Sequence, residues 1–140
     1  MNRPGLPQAE DPCPCGRELK GRPRAWGQCC GPYLSREHPV PDAESLMRSR
    51  YTAFVLGDLA WLRDSWHPDT RPADLQLDPG VKWLGLSVKR HRVVDAQHAE
   101  VEFVARSRGP DGRAERLHET SRFVRLESGW VYVDGDLHAR

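Results

Sequence analysis

A chain of 140 residues with 21 Lys and Arg against 20 Asp and Glu has room for one domain with a core of its own, and its formal charge of +1 exerts no global pull on nucleic acid. No run approaches the roughly 18 apolar residues that a membrane-spanning helix needs. All four cysteines lie between positions 13 and 30, which excludes a disulfide framework distributed through the chain.

Residues 1–12 contain Pro4, Gly5, Pro7 and Pro12 and little to bury, so they read as a mobile tail. The same stretch has no apolar h-region to direct secretion. The expected location is therefore the cytoplasm, where thiols stay reduced.

The next segment, 13–35, carries Cys13-Pro14-Cys15-Gly16 and, after a loop, Trp26-Gly27-Gln28-Cys29-Cys30-Gly31-Pro32. Two thiol pairs joined by a loop supply the four sulfur ligands of a structural zinc ion, at about 2.3 Å per bond. A disulfide within Cys13–Cys15 or Cys29–Cys30 would be strained, and a catalytic dithiol is disfavoured because one residue rather than two separates Cys13 from Cys15. A cross-paired disulfide or redox pair and inert thiols remain as alternatives behind the zinc knuckle. Iron suits the same tetrahedral donor set. Arg17, Lys20, Arg22 and Arg24 in the loop can offset the negative charge of a four-thiolate zinc centre. Adjacent Cys29 and Cys30 reach one ion only if the backbone turns there, and Gly31-Pro32 supplies turn chemistry.

Pro39 and Pro41 stiffen the connection to the main domain, 36–140. Asp42 is a suitable N-cap for a helix in which Ala43, Leu46, Met47, Tyr51 and Phe54 recur at helical spacing before Gly57. Arg50 falls in that stripe and needs a carboxylate, a carbonyl cluster or an anionic ligand, because a guanidinium cannot be buried alone. Asp58 caps a shorter helix with Leu59, Leu62 and Trp66 on one line, ended by His67-Pro68. Strands are then expected over 81–92, with Leu84, Leu86 and Val88 on one face, over 99–108, over 114–126 and over 130–134. Gly109-Pro110-Asp111-Gly112 marks a turn between the second and third. Two helices followed by hairpin-linked strands give an α+β fold, a helical hairpin packed on one face of an antiparallel meander.

The pattern Cys-Pro-Cys-Gly, a loop, then Gln-Cys-Cys-Gly-Pro-Tyr resembles the SEC-C motif, the zinc element named for the C-terminus of the SecA translocation ATPase. The run from Ala43 to Phe54, Gly57-Asp58, Trp66-His67-Pro68 and Gly129-Trp130-Val131-Tyr132-Val133-Asp134-Gly135 resembles the YchJ-type bacterial proteins, in which that motif precedes a nuclear-transport-factor-2-like domain. The resemblance implies a curved, cystatin-like cone for the main domain and carries no established reaction. It departs from the usual motif between the second and third ligands, where Gly16 to Gln28 exceeds the common spacing of about eight residues and Arg17 takes a serine position. The longer loop costs little, about 0.6 kcal/mol per doubling of length.

These readings lead to a zinc-binding accessory protein. Cys13, Cys15, Cys29 and Cys30 hold Zn2+, and the knuckle meets a protein or ribonucleoprotein partner of the translocation or translation machinery. The alternative is a small-molecule-binding protein or enzyme using the interior of the cone, with Arg50, Trp66, His67, His118 and Asp134 as pocket candidates. No triad or paired-carboxylate spacing is present, so the reading leans away from an enzyme. His118 and Glu119 are strand neighbours and should face opposite sides. Direct nucleic-acid binding through Lys89-Arg90-His91-Arg92 ranks last, because strand alternation splits those charges between faces.

Overall fold

The computed structural model describes residues 5–138. A two-stranded hairpin opens the chain, β1 (Glu18–Leu19) and β2 (Arg22–Pro23), followed by a 3-10 turn at Trp26–Gln28 and a one-turn helix α1 (Gly31–Leu34). Lys20 and Gly21 link β1 to β2 with φ of 54° and 76°, the left-handed pair that a two-residue hairpin turn requires.

Helix α2 (Ala43–Leu56) begins where its cap dictates: the Asp42 carboxylate accepts the Ser45 N–H at 2.8 Å. It ends at Gly57, whose φ of 75° is the left-handed C-terminal turn that glycine adopts without strain. Helix α3 (Leu59–Asp64) starts on Asp58, whose carboxylate accepts the Trp61 N–H at 3.0 Å. Leu46, Met47, Tyr51 and Leu62 are buried, each contributing about 1.5–3 kcal/mol of apolar burial.

The remainder is a four-stranded antiparallel meander in the order β3-β4-β5-β6: β3 (Lys82–Asp95), β4 (His98–Arg108), β5 (Ala114–Leu126) and β6 (Gly129–Leu137). Both outer strands run longer than the alternation suggests. Register shifts at Trp83/Gly85, Val88/Arg90, Val93/Asp95 and Arg122/Phe123 are bulges, and bulges bend and twist a sheet. The first re-aims β3. Leu84, expected to share a face with Leu86 and Val88, is exposed, and Trp83 packs on the Tyr51 and Phe54 rings at 5.8 and 5.5 Å.

Cross-strand pairs Val101↔Ser121, Phe103↔Glu119 and Ala105↔Leu117 share the face under the helices, while Glu102↔Thr120 and Val104↔His118 share the other. One core cluster runs from the four cysteines through α2 to Phe103 and Phe123 on the sheet. The knuckle is thus packed into the domain. The expected mobile tail is only partly described, residues 1–4 lying outside the described region. Nearer the knuckle the chain is pinned: Pro12 pairs with Ala25, the Trp26 N–H donates to Asp11 O at 2.7 Å, and the Gly27 N–H donates to Ala9 O at 2.8 Å.

Candidate metal centre and interior cavity

The two cysteine pairs meet at the base of the β1–β2 hairpin. Backbone bonds from Cys13 N–H to Arg24 O (2.9 Å) and from Arg24 N–H to Arg17 O (2.9 Å) zip the hairpin stem. Gly16, with φ of 74°, turns the chain behind Cys15. Cys29 has φ −132° and ψ −113°, whereas Cys30 is already helical at φ −74° and ψ −24° as the cap of α1. That break in conformation brings adjacent thiols to one point. Gly31 is required beside them, since a β-carbon there would lie 2.7 Å from Trp26 O.

All four cysteines are buried and unpaired, and their sulfur atoms lie within 4.8 Å of one another. The Cys15 and Cys29 Sγ atoms are 3.6 Å apart. Bonds of about 2.3 Å arranged tetrahedrally place sulfurs ~3.8 Å apart, so the donors fit a metal ion, while a disulfide needs about 2.05 Å. Protonation points the same way. Donation from the Cys15, Cys29 and Cys30 thiols holds Cys13 far below the ordinary thiol range, whereas Cys29 and Cys30 are pushed up, first by the Cys13 and Cys15 thiols. Four thiolates cannot ionise together here without a cation to offset them.

Of the loop cations, Arg17 serves the centre most directly: its N–H points to Cys15 Sγ at 3.4 Å, and its guanidinium donates to Ser45 Oγ at 2.9 Å. Arg24 Nη2 closes on Gln28 O at 2.5 Å. Lys20 and Arg22 are exposed on the hairpin. Arg48, which the sequence did not single out, donates from Nη1 to Cys15 O at 3.2 Å and pairs with Glu44 at 2.9 Å.

A second feature lies between α2 and the inner sheet face, a cavity of about 240 Å³ walled by Tyr51, Phe54, Trp66, Trp83, Phe103 and Phe123. Its polar groups are Arg50, Glu119, Ser121 and Tyr132. Arg50 donates from Nη1 to Leu62 O at 2.9 Å and to Ser65 Oγ at 2.7 Å, and its guanidinium stacks over the Trp66 and Tyr132 rings at 5.0 and 4.6 Å. Burial draws its pKa down to about 10, against the opposing influence of Tyr132 and Glu119. The Glu119 carboxylate accepts from Ser121 Oγ at 2.5 Å and from the Tyr132 hydroxyl at 3.2 Å. Burial first, then Glu119, raises the Tyr132 pKa. The buried Trp66 Nε1–H has no acceptor among the described residues.

The structure brings Arg50 and Trp66 to this cavity and places the other three candidates elsewhere. His67 lies outside it, its Nδ1 accepting the Asp69 N–H at 3.0 Å in a turn after α3. His118 sits on the opposite sheet face against Glu102, at 2.7 Å. Asp134 pairs with Arg122 at 2.6 Å on that same outer face. The physical reason is strand parity: Glu119, one residue on, takes the inward position. Ser121, Tyr132 and Trp83 complete the site, Ser121 sharing the inward face with Glu119 through the period-two alternation of a strand.

No helix among the described residues is long and apolar enough to cross a membrane. The family model described as the YchJ middle NTF2-like domain matches residues 42–135. A UPF0225 protein of Polaromonas naphthalenivorans is 58% identical over 132 residues, covering 89% of this chain and 96% of its own. A UPF0225 protein of Cupriavidus metallidurans is 55% identical, covering 90% and 89%. Among solved structures, a SEC-C motif containing protein from Rhodopseudomonas palustris superposes with a TM-score of 0.73 at 28% identity, covering 85% of this chain and 96% of that one. One from Psychrobacter arcticus gives 0.74 at 28% identity, covering 94% and 85%.

Proposed function

Since the chain belongs to the YchJ family and four of its buried sulfurs converge on one point, we propose that it is a zinc-binding accessory protein whose knuckle contacts a protein or ribonucleoprotein partner. Cys13, Cys15, Cys29 and Cys30 hold one Zn2+ as thiolates, and the ion fixes the β1–β2 hairpin against α2. That hairpin carries Lys20 and Arg22 beside Leu19, which is 64% exposed, an arrangement suited to an acidic partner with an apolar contact. The convergence of the four sulfurs is the observation that carries the reading.

Elemental analysis of protein purified under reducing conditions, with thiols counted before and after chelation, tests the metal. One zinc per chain, and thiols reactive only after chelation, is the expected result. Retention of stoichiometric zinc by Cys29→Ser would overturn the four-thiolate assignment. Co-sedimentation with purified bacterial ribosomes tests the partner class. Binding that weakens with salt and is lost in a Lys20→Glu, Arg22→Glu double variant supports it, and equal behaviour of variant and parent refutes the hairpin's role.

One observation favours a second reading. The cavity places a guanidinium and a hydrogen-bonded carboxylate among aromatic walls, the composition of a small-molecule site. Quenching of tryptophan fluorescence by small amines or carboxylates, abolished by Glu119→Gln or Arg50→Met respectively, would establish it. No response to either class would dismiss it.

A further inference from the structure

The sheet face turned away from the helices carries a group of donors that neither site above uses. Glu102 lies on β4, His118 on β5, and His138 just beyond β6. Glu102 is opposite Thr120 and Val104 is opposite His118, so Glu102 and His118 are diagonal neighbours on one face. The His138 N–H donates to His118 O at 2.8 Å, extending the β5–β6 pairing past the end of the strand. That bond lays one imidazole on the other, with ring centroids 4.0 Å apart and planes 8° from parallel. His118 Nε2 is 2.7 Å from the Glu102 carboxylate, and Thr120 Oγ1 is 2.7 Å from His138 Nε2. One ligand atom from each of Glu102, His118 and His138 lies within 4.8 Å of the other two.

We propose that Glu102, His118 and His138 form a second, solvent-open site for a divalent transition metal of the zinc, cobalt and nickel class. Two imidazoles and a carboxylate are the donor set that such ions select. Three protein ligands with a further position left to water is the pattern of an open site, in contrast to the closed four-thiolate centre. Metal–ligand bonds of about 2.1 Å require donors ~3.4 Å apart. To direct both in-plane lone pairs at one ion the imidazoles must turn out of their parallel stack, which the exposure of His138 allows. Thr120 engages one nitrogen of His138 and leaves the other as the donor for an ion. An ordinary surface ion pair accounts for Glu102 and His118 alone. It gives no reason for a second imidazole stacked within reach of the same carboxylate, which can neutralise only one of them.

The test uses the full chain with its thiolate centre already loaded with one zinc. Adding Co2+ should give weak visible ligand-field bands without the intense near-ultraviolet band of thiolate coordination, and a second equivalent of Zn2+ should displace them. His138→Ala, His118→Ala and Glu102→Gln should each weaken this second binding by about tenfold or more, while elemental analysis still finds the first zinc. His138→Ala and Glu102→Gln change solvent-accessible side chains, so they report even where His118→Ala disturbs the sheet. Second-equivalent binding unchanged in all three variants, or no second equivalent bound, overturns the proposal. Loss of the first zinc in the parent chain would instead tell against the four-thiolate reading.

Discussion

Replacement of Arg50 by Met and by Ala separates two roles that its position combines. Burial lowers the guanidinium from its ordinary range to about 10, equivalent to roughly 3 kcal/mol against the charged form. The sign is fixed by the direction of the shift: a base whose folded pKa is depressed carries this penalty in full below about pH 10, and sheds it only as the pH rises towards its higher unfolded value. Against the penalty stand two hydrogen bonds from a charged donor, about 1.5–3 kcal/mol each, and two stacked rings at about 1 kcal/mol each. The balance is a net stabilisation of about 2–5 kcal/mol, part of which the apolar burial of a Met side chain replaces. Met keeps most of the volume, and Ser65 Oγ still donates to Trp61 O at 2.6 Å, but Leu62 O loses its 2.9 Å donor. Arg50→Met should therefore cost about 1–2 kcal/mol, a few degrees in Tm for a domain of this size. Arg50→Ala enlarges the cavity and should cost about 2–4 kcal/mol more. Urea unfolding, followed by far-ultraviolet circular dichroism, measures both. Equal losses in the two variants, or failure of Arg50→Met to fold, would refute the reasoning and make the buried charge itself indispensable to the fold.

A β-carbon at Gly135 would overlap the Glu119 carboxylate, so Gly135→Ala should swing Glu119 off Ser121 and Tyr132 at a cost of about 1–3 kcal/mol. The Tyr132 phenol should then titrate lower than in the parent, because one of the charges raising it has moved away; absorbance titration reads this. Glu44 accepts from Arg48 at 2.9 Å and faces Arg17 at 4.0 Å, and Glu44→Gln should destabilise the chain by roughly 1–2 kcal/mol, and a metal held by the four cysteines should then pass faster to a chelator. Asp136 is held below the ordinary carboxylate range chiefly by Arg122, so its contribution is present above its unfolded pKa and is lost as the pH falls through the depressed folded value. Arg122→Gln should return the Asp136 carboxyl to its usual titration, as followed by carbon NMR.

The helices were legible because their signals are local. Asp42 and Asp58 cap through side chains three residues from the amides they accept, and Gly57 needs nothing distant to end α2. The β4 face of Val101, Phe103 and Ala105 was legible for the same reason, being unbroken alternation. Reading failed where a bulge resets the phase. Trp83 and Leu84 exchange faces across the first bulge of β3. In β6, the bulge at Arg122/Phe123 lets Tyr132 pair with inward Phe123 while Asp134 pairs with outward Arg122. Regular alternation would have put Tyr132 and Asp134 on one face, and the bulge is what turns Asp134 away from the cavity. Alternation also stated that His118 and Glu119 part company, yet only the pairing of Glu119 with buried Phe103 decides which one points inward. The β1–β2 turn did have a local signal, the Lys20-Gly21 pair, within a loop read only for its charge.

The placement of the knuckle decides what a metal bound there would do for the rest of the chain. As a separate appendage, it could lose the ion and leave the main domain unaffected. Instead, Arg17 and Arg48 tie both sides of Cys15 to α2, through Ser45 Oγ at 2.9 Å and Cys15 O at 3.2 Å. Beyond α1 the chain is held again, by Arg36 paired with Asp64 at 2.7 Å and stacked over Trp61 at 4.6 Å. Glu44 reaches β3 as well, with His91 Nδ1 at 3.8 Å. Helix α2 therefore has the thiolate centre on one side and the aromatic cavity on the other. Arg48 and Glu44 face the first, and Arg50 and Tyr51 the second, along a single rigid element. Ions and ligands that bind only the folded form add their binding free energy to its stability. A metal held at one side of α2 thus steadies the wall of the cavity at the other, without any contact between the two sites.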